Sequence, residues 1–358
     1  VTDLIIDASE DMGTLGQFGY SSAIKEMFES YAEEGTILAR VARVDRGMPI
    51  VVTDSGFIRA EPASHLRKGP KKATCLAVVG DWVALLCPEG HRPVIQSVLP
   101  RSSEFSRRDP GSESGQQVLI ANIDIVFVMQ SLSGSGVNVN RLERELVLAW
   151  NSGAAPVIVL TKADLVEDPA RGAALASEVA GGVEVIVESA VTGEGIDEIR
   201  RHIQPGMTAA LLGSSGVGKS TLVNRLMGEK LAATNQTRDF DDKGRHTTVA
   251  REMFPLPGGG VVIDTPGMRG LSLWSAEKGM KLAFSDIEQL AQGCRFADCK
   301  HVSEPGCALI EAVKTAEISE RRLRSWHTLR AELDELAARQ VYTTSRRRSH
   351  STERKGNL

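Results

Sequence analysis

The segment Gly213-Ser214-Ser215-Gly216-Val217-Gly218-Lys219-Ser220, with Thr221 behind it, sets three glycines ahead of a lysine and a hydroxyl. Glycines at this spacing let backbone amides converge on an anion, the lysine neutralises β- and γ-phosphate charge, and the serine hydroxyl can ligate Mg²⁺. The flanks suit that chemistry, because apolar Ala209 to Leu212 reads as a strand before the loop and Lys219 to Met227 as a helix after it. Asp264-Thr265-Pro266-Gly267 follows Val261-Val262-Ile263. Its carboxylate should leave a strand end where it can hold the same magnesium, directly or through water, and Gly267 can offer its amide to a γ-phosphate.

Two further motifs speak to the base. A carboxylate that accepts from N1 and the exocyclic N2 amine selects guanine, and Asp164 of Thr161-Lys162-Ala163-Asp164 is that candidate. Lys162 can lay its stem over the base, and Ser189-Ala190 can supply an amide near O6. Thr161 stands where an asparagine is usual, which leaves one loop-bracing amide unaccounted for. Both motifs precede the phosphate loop, whereas an ordinary GTPase carries them after it. The order is that of a circularly permuted GTPase.

Between the loop and Asp264 lies polar Ala232 to Arg245, leading into Gly244-Arg245-His246-Thr247-Thr248. A switch orders itself around Mg²⁺ and the γ-phosphate through a threonine hydroxyl and amide, and either Thr247 or Thr248 fits. Met268 occupies the place of the glutamine that orients the attacking water in Ras-like enzymes. A thioether cannot do that, so another group or a partner must. His246 is the candidate, against the plainer reading of a solvated loop histidine.

Cys294-x4-Cys299-x-His301-x5-Cys307 offers three thiolates and one imidazole, the ligand set of a closed tetrahedral zinc site with a structural role. Arg295, Asp298, Lys300 and Glu304 make the segment too polar for a set of buried free thiols. Cys75 and Cys87 lie in apolar surroundings and read as core residues.

The elements that must position these groups fall into regions. Residues 1–35 form an acidic extension, eight acids against Lys25, with a helix over Ser22 to Glu34. Short β-rich runs at Ile37 to Val44, Pro49 to Thr53, Cys75 to Val79, Trp82 to Cys87 and Val94 to Val98 suggest a small barrel, an OB-fold or an SH3-like alternative. Pro100 to Gln117 reads as a polar linker. Apolar strands at Ile123 to Met129, Pro156 to Leu160, Val183 to Val187, Met207 to Leu212 and Gly260 to Asp264 then alternate with helices, as in a parallel sheet. Beyond Gly270 the chain turns helical, and Leu323, Trp326, Leu329, Leu333 and Leu336 mark an amphipathic helix packed on its own domain. The division expected is 36–105 barrel, 118–270 nucleotide domain, 271–340 helical zinc domain and 341–358 basic tail.

Composition sets limits on this reading. The 358 residues carry a net charge of −4 and no run of about 20 apolar residues of the kind a membrane span needs. The acidic start lacks a signal-peptide pattern, and five cysteines without a framework spacing point to a reducing, cytoplasmic setting. Residues 36–110 hold twelve Lys/Arg against seven Asp/Glu, a basic surface able to meet a polyanion despite the acidic total.

A barrel, base-reading motifs ahead of the phosphate loop, Gly244 to Thr248, Asp264 to Gly267 and a cluster ending in Glu304-Pro305-Gly306-Cys307 together resemble the RsgA (YjeQ) family. The similarity runs from about Thr36 to Arg339. The resemblance implies an OB-fold that contacts rRNA, a permuted GTPase centre with magnesium and GTP, and a helical domain with one structural zinc. It also implies late maturation of the small (30S) ribosomal subunit, with slow GTP hydrolysis to GDP and phosphate accelerated by that subunit, and it favours His246 as a catalytic switch residue. The chain would act as a monomer with no membrane partner. Two other readings are a permuted GTPase acting on the large subunit and a nucleotide-sensing RNA-binding module whose hydrolysis is incidental.

Overall fold

Residues with period-two apolar spacing build the first unit. In the computed structural model, which describes residues 14–45, 47–67, 76–108, 116–228, 251–264, 273 and 275–355, Ala39 and Val41 of β1 (Thr36–Asp45) point inward with Val51 of β2 (Met48–Thr53). Val83 and Leu85 of β5 (Trp82–Leu86) and Ile95 of β6 (Val94–Val98) complete that core. Pairing closes on itself. β1 bonds to β2 and β5, β2 to β3 (Gly56–Arg59), β5 to β6, and β4 (Glu61–Pro62), which continues β3 past buried Ala60, runs parallel to β6. The fifth place in the barrel is therefore filled by β3 and β4 rather than by residues 76–79 of the expected strand. Among the described residues of that stretch only Val79 makes an isolated bridge, to Ile120. The reason is a turn: Asp81 accepts the Val78 amide at 2.8 Å on its carboxylate and donates its own amide to Val78 O.

The segment expected as a linker is a packed hairpin of β7 (Glu104–Arg108) and β8 (Gln116–Ala121). Its polar residues mislead because their partners are buried. Arg101 binds the fully buried Asp81 at 2.7 and 2.8 Å, while Phe105, Val118 and Ile120 turn into the core.

Five parallel strands follow in the spatial order β11 (Val185–Val187), β10 (Ala155–Thr161), β9 (Ile125–Ser131), β12 (Thr208–Gly213), β14 (Val261–Asp264). Their residues are apolar on both faces, and Val126 and Val128 join one core while Phe127 and Met129 join the other. Helices α2 (Val139–Ser152), α3 (Pro169–Ser177), α4 (Ile196–His202) and α5 (Lys219–Met227) lie between successive strands, α1 being Ser22–Tyr31. Antiparallel β13 (Glu252–Pro255) edges β14 and also reaches β1 at Arg43↔Glu252, so barrel and nucleotide domain share one sheet.

The helical end comprises α6 (Glu277–Ala283), α7 (Ser285–Ala291), α8 (Ala308–Lys314) and α9 (Glu320–Lys355). It packs on α2. A side chain at Gly279 would meet Val147 O at 2.1 Å, so glycine is what allows α6 so close. Leu323, Trp326, Leu329 and Leu333 are buried in the principal core, which also holds Leu142 and Leu146 of α2, so the stripe is not confined to its own domain. Fully buried Glu143 of α2 takes Arg321 and Arg322 at 2.9–3.2 Å and the Ser325 hydroxyl at 2.6 Å, and Arg322 also holds Asp286.

The acidic front is more than an appendage. Leu15 and Phe18 are buried in the principal core, and Arg40, itself buried, donates to Phe18 O, Gly80 O and Asn122 O while stacking over Trp82. Burial pulls that guanidinium down to about 10, opposed by the charges of Asp124 and Asp81. One cysteine expectation fails: Cys87 lies just past β5 and is exposed. Cys75 lies outside the described residues.

Candidate functional site

Parallel strands deliver their following loops to one edge of a sheet, and this edge collects the motifs. Thr161 ends β10, Ser189 and Ala190 follow β11, Gly213 ends β12 and Asp264 ends β14. Gly213 packs so tightly that a Cβ there would meet Met129 O at 2.6 Å, and Gly218 turns the chain at φ +115° into α5. Lys219 donates to Gly213 O at 2.9 Å and Ser214 O at 2.8 Å, which holds its ammonium across the mouth of the loop. A cation already held against loop carbonyls, beside exposed Ser215, Gly216, Ser220 and Thr221, fits an incoming polyphosphate.

The candidate base-reading motif is bonded to that loop. The buried Thr161 hydroxyl donates to Val217 O at 2.6 Å, and Lys162, in a left-handed conformation at φ +62°, donates from Nζ to Gly216 O at 2.7 Å. The loop-bracing role that sequence left open at Thr161 is thus carried by a hydroxyl in place of an amide. Asp164 sits in the 3₁₀ turn Ala163–Leu165, its Oδ1 accepting from the Ser189 hydroxyl at 2.6 Å. Ser189 also receives the Thr192 amide on Oγ, and Ala163 donates its amide to Glu188 O. The two base motifs therefore form one bonded unit. Beside it opens a cavity of about 770 Å³ touching Ala190, Thr221 and Asn224.

His246, Thr247, Thr248, Gly267 and Met268 lie outside the described residues.

 The cysteine cluster assembles as its spacing predicts. The ligand atoms of Cys294, Cys299, His301 and Cys307 all lie within 4.8 Å of one another. Cys294 Sγ is 3.4 Å and Cys307 Sγ 3.5 Å from His301 Nδ1, and the two sulfurs are 4.0 Å apart. Bonds of about 2.3 Å to sulfur and 2.0 Å to nitrogen at tetrahedral angles put ligand atoms roughly 3.5–3.8 Å apart, so the cage fits zinc. Burial lowers the His301 pKa, which favours the neutral imidazole a metal needs. Glu304 pins the intervening loop by accepting the amides of Lys300, Val302 and Ser303 at 2.8–3.0 Å.

The sequence model of the RsgA GTPase family matches residues 98–274. The small ribosomal subunit biogenesis GTPase RsgA of Streptomyces avermitilis is 46% identical over 325 residues, 90% of this chain and 86% of that protein. The chain belongs to the RsgA family of GTPases. The RsgA of Methanosarcina acetivorans is 41% identical over 317 residues, 88% of this chain and 84% of its own. Among solved structures, YjeQ from Thermotoga maritima superposes with a TM-score of 0.62 at 27% identity, covering 83% of this chain and 98% of that one. YloQ, a circularly permuted GTPase, shares the fold at a TM-score of 0.60 and 23% identity, covering 84% and 96%. The protein is a GTP-hydrolysing enzyme.

Sequence reasoning missed two buried carboxyls at this RsgA-type centre. Glu145 of α2 accepts from Gln130 Nε2 at 2.6 Å, and burial pushes it up to about 7 against the pull of Gln130, Arg141 and Lys219. Glu188, directly before Ser189, is 2% exposed and is also pushed up to about 7, by burial and by the Asp164 charge. Neither had a signal in the sequence, since a lone glutamate on a helix or at a strand end reads as a surface residue. Among the described residues, no helix is long and apolar enough to cross a membrane.

Proposed function

We propose that this GTPase binds the small ribosomal subunit and acts in its late maturation, hydrolysing GTP to GDP and phosphate with stimulation by the subunit. The observation that carries the nucleotide half is the Thr161 hydroxyl on Val217 O and the Lys162 ammonium on Gly216 O, which tie base reading to phosphate binding. The partner rests on the relatives, whose names describe small ribosomal subunit biogenesis.

In this reading Asp164 accepts from guanine N1 and N2, Lys162 covers the base, and Ser189 steers the Asp164 carboxylate while the Ala190 amide addresses O6. Loop amides from Gly213 to Ser220 take the phosphates, with Lys219 leaving its two carbonyls to neutralise them. Magnesium bound with GTP would be held by Ser220 and Asp264 and would neutralise charge on the β- and γ-phosphate oxygens. His246 is the residue we assign to positioning the attacking water, with Thr247 or Thr248 as the switch threonine. The barrel of residues 36–105 is read as an RNA-binding OB-fold, a reading supported by its closed five-place pairing and by Arg59 and Arg92, whose side chains are 63% and 62% exposed. Residues 118–270 form the GTPase domain in this division, and residues 271–340 a helical domain whose zinc is structural because all four ligands come from protein. The front and the basic tail flank these, and the protein acts as a cytoplasmic monomer.

Initial rates of GTP hydrolysis with and without purified small subunits test this, with large subunits and ATP as controls. Acceleration confined to GTP and small subunits is expected. Acceleration by large subunits instead would move the partner, and none at all would leave a nucleotide-sensing RNA-binding module. His246→Ala should slow hydrolysis and spare GDP binding.

A further inference from the structure

A guanine nucleotide with its base at Asp164 and Ala190 and its phosphates on the loop before Thr221 must carry its sugar between those two ends. The cavity of about 770 Å³ touches both Ala190 and Thr221, so the sugar falls within it. Two cations line that cavity, Arg200 and Arg225. Arg200 is committed, because its Nη2 donates to Leu226 O at 3.0 Å and to Arg225 O at 3.4 Å, carbonyls at the end of α5. The exposed Arg225 side chain has no hydrogen bond or ion pair among the described residues.

Arg225 stands four positions after Thr221 in α5, one turn on along the same face. Its guanidinium rests on the turn that carries Ala190: a Cβ at Gly193 would fall 2.7 Å from Arg225 Nη2. That turn is closed on itself, the Gly193 amide donating to Ser189 O at 2.8 Å and the Ser189 amide to Glu194 O at 3.0 Å. Gly193, at φ +91°, both makes the turn and leaves the berth for the guanidinium. Asp197 lines the same cavity and forms no ion pair with Arg225. A further phosphate would be repelled by Asp197. A neutral hydroxyl, which accepts and donates, suits a wall that offers a donor-only guanidinium and an acceptor-only carboxylate.

We propose that Arg225 is a specificity-determining residue, which donates to the ribose hydroxyl oxygens of the bound guanine nucleotide and so favours ribonucleotides over deoxyribonucleotides. This rests on Asp164 and Ala190 as the base site and on Gly213 to Ser220 as the phosphate site. The planar guanidinium holds several N–H donors in a fixed fork, which matches two oxygens on adjacent sugar carbons. The contact is selective because nothing else occupies those donors. A sugar without hydroxyls leaves the guanidinium to water and gains nothing from it. Phosphate affinity does not depend on it, since Lys219 and the loop amides supply that charge compensation.

The test is calorimetric titration of the full-length protein, wild type and Arg225→Ala, with unlabelled GDP, 2′,3′-dideoxy-GDP and ADP, since a label on the sugar would occupy the site in question. The wild type should bind GDP about tenfold more tightly than dideoxy-GDP. Arg225→Ala should lose that tenfold for GDP and nothing for dideoxy-GDP, so that the two bind alike. Alanine is a strong helix former at an exposed helical position, and an unchanged urea midpoint confirms that the fold is kept. Unchanged GDP affinity in Arg225→Ala would overturn the proposal, and so would equal weakening of GDP and dideoxy-GDP, which marks a base or phosphate contact instead. Wild-type binding of ADP as tight as GDP would overturn the base site itself, an outcome separate from either.

Discussion

Thr161→Val removes one hydroxyl and keeps the side chain's shape, so its effect isolates the brace between base motif and phosphate loop. The lost bond is the 2.6 Å contact to Val217 O, and Val217 is buried, so water cannot replace the donor easily. Leaving a buried carbonyl unpaired costs about 1–3 kcal/mol, a factor of roughly 5 to 150 in the population of the braced loop. The neighbouring bonds, Lys162 to Gly216 O and Lys219 to Gly213 O and Ser214 O, hold other carbonyls and leave Val217 O without cover. Apparent affinity falls with the fraction of loop ready to receive phosphate, and we expect GDP to bind about tenfold more weakly. The assay is titration with fluorescent GDP, together with urea unfolding, where stability should drop by about 1–2 kcal/mol. A brace weakens GTP and ATP alike, so the GTP/ATP ratio should hold. Unchanged affinity and an unchanged urea midpoint would refute the brace, and an altered ratio would make Thr161 a base contact.

Other expectations concern the surroundings. Glu143→Ala strips both Arg321 and Arg322 of a fully buried partner and should cost about 3–5 kcal/mol, read by urea unfolding. Glu145 is pushed from an ordinary 4.5 up to about 7 in the fold, so the folded state holds its proton longer than the unfolded chain, and stability is lost as pH rises from 4.5 through 7. Glu145→Gln should therefore be the more stable protein above pH 7 and converge with the wild type near pH 4.5, as unfolding curves across pH would reveal. Cys299→Ser should abolish stoichiometric zinc in metal analysis and lower the melting temperature, and a zinc-free wild type with intact folding would defeat the assignment.

Helix α2 links these predictions. Its Glu143 and Arg144 reach α9, through Arg321, Arg322 and Glu332, while Glu145 feels the charge of Lys219 in the phosphate loop. Three consecutive residues thus face either the helical end or the nucleotide site. On the other side β13, the strand before Asp264's own, pairs with β1 of the barrel. The nucleotide domain is bonded to both neighbours by elements that border its site.

What could be read from the chain alone was whatever chemistry demands within a few consecutive residues. The phosphate loop, the order of the base motifs and the cysteine spacing are of this kind, and helix Lys219–Met227 was legible to the residue because a glycine precedes it and an apolar stripe runs through it. The parallel strands were legible to within a few residues, because burial on both faces leaves an unbroken apolar run. Partners far apart in sequence were decided only by the tertiary structure. Thr161 and Val217 are 56 positions apart, and the hydroxyl looks like a weakened motif until the fold brings a carbonyl to it. Arg101, whose buried partner Asp81 lies 20 positions away, helped make Pro100 to Gln117 look like a linker, and Glu188, Glu145 and Glu143 look like surface residues for the same reason. A polar side chain carries no mark in the sequence of whether water or a buried partner will satisfy it, because that choice is made by neighbours that only folding supplies.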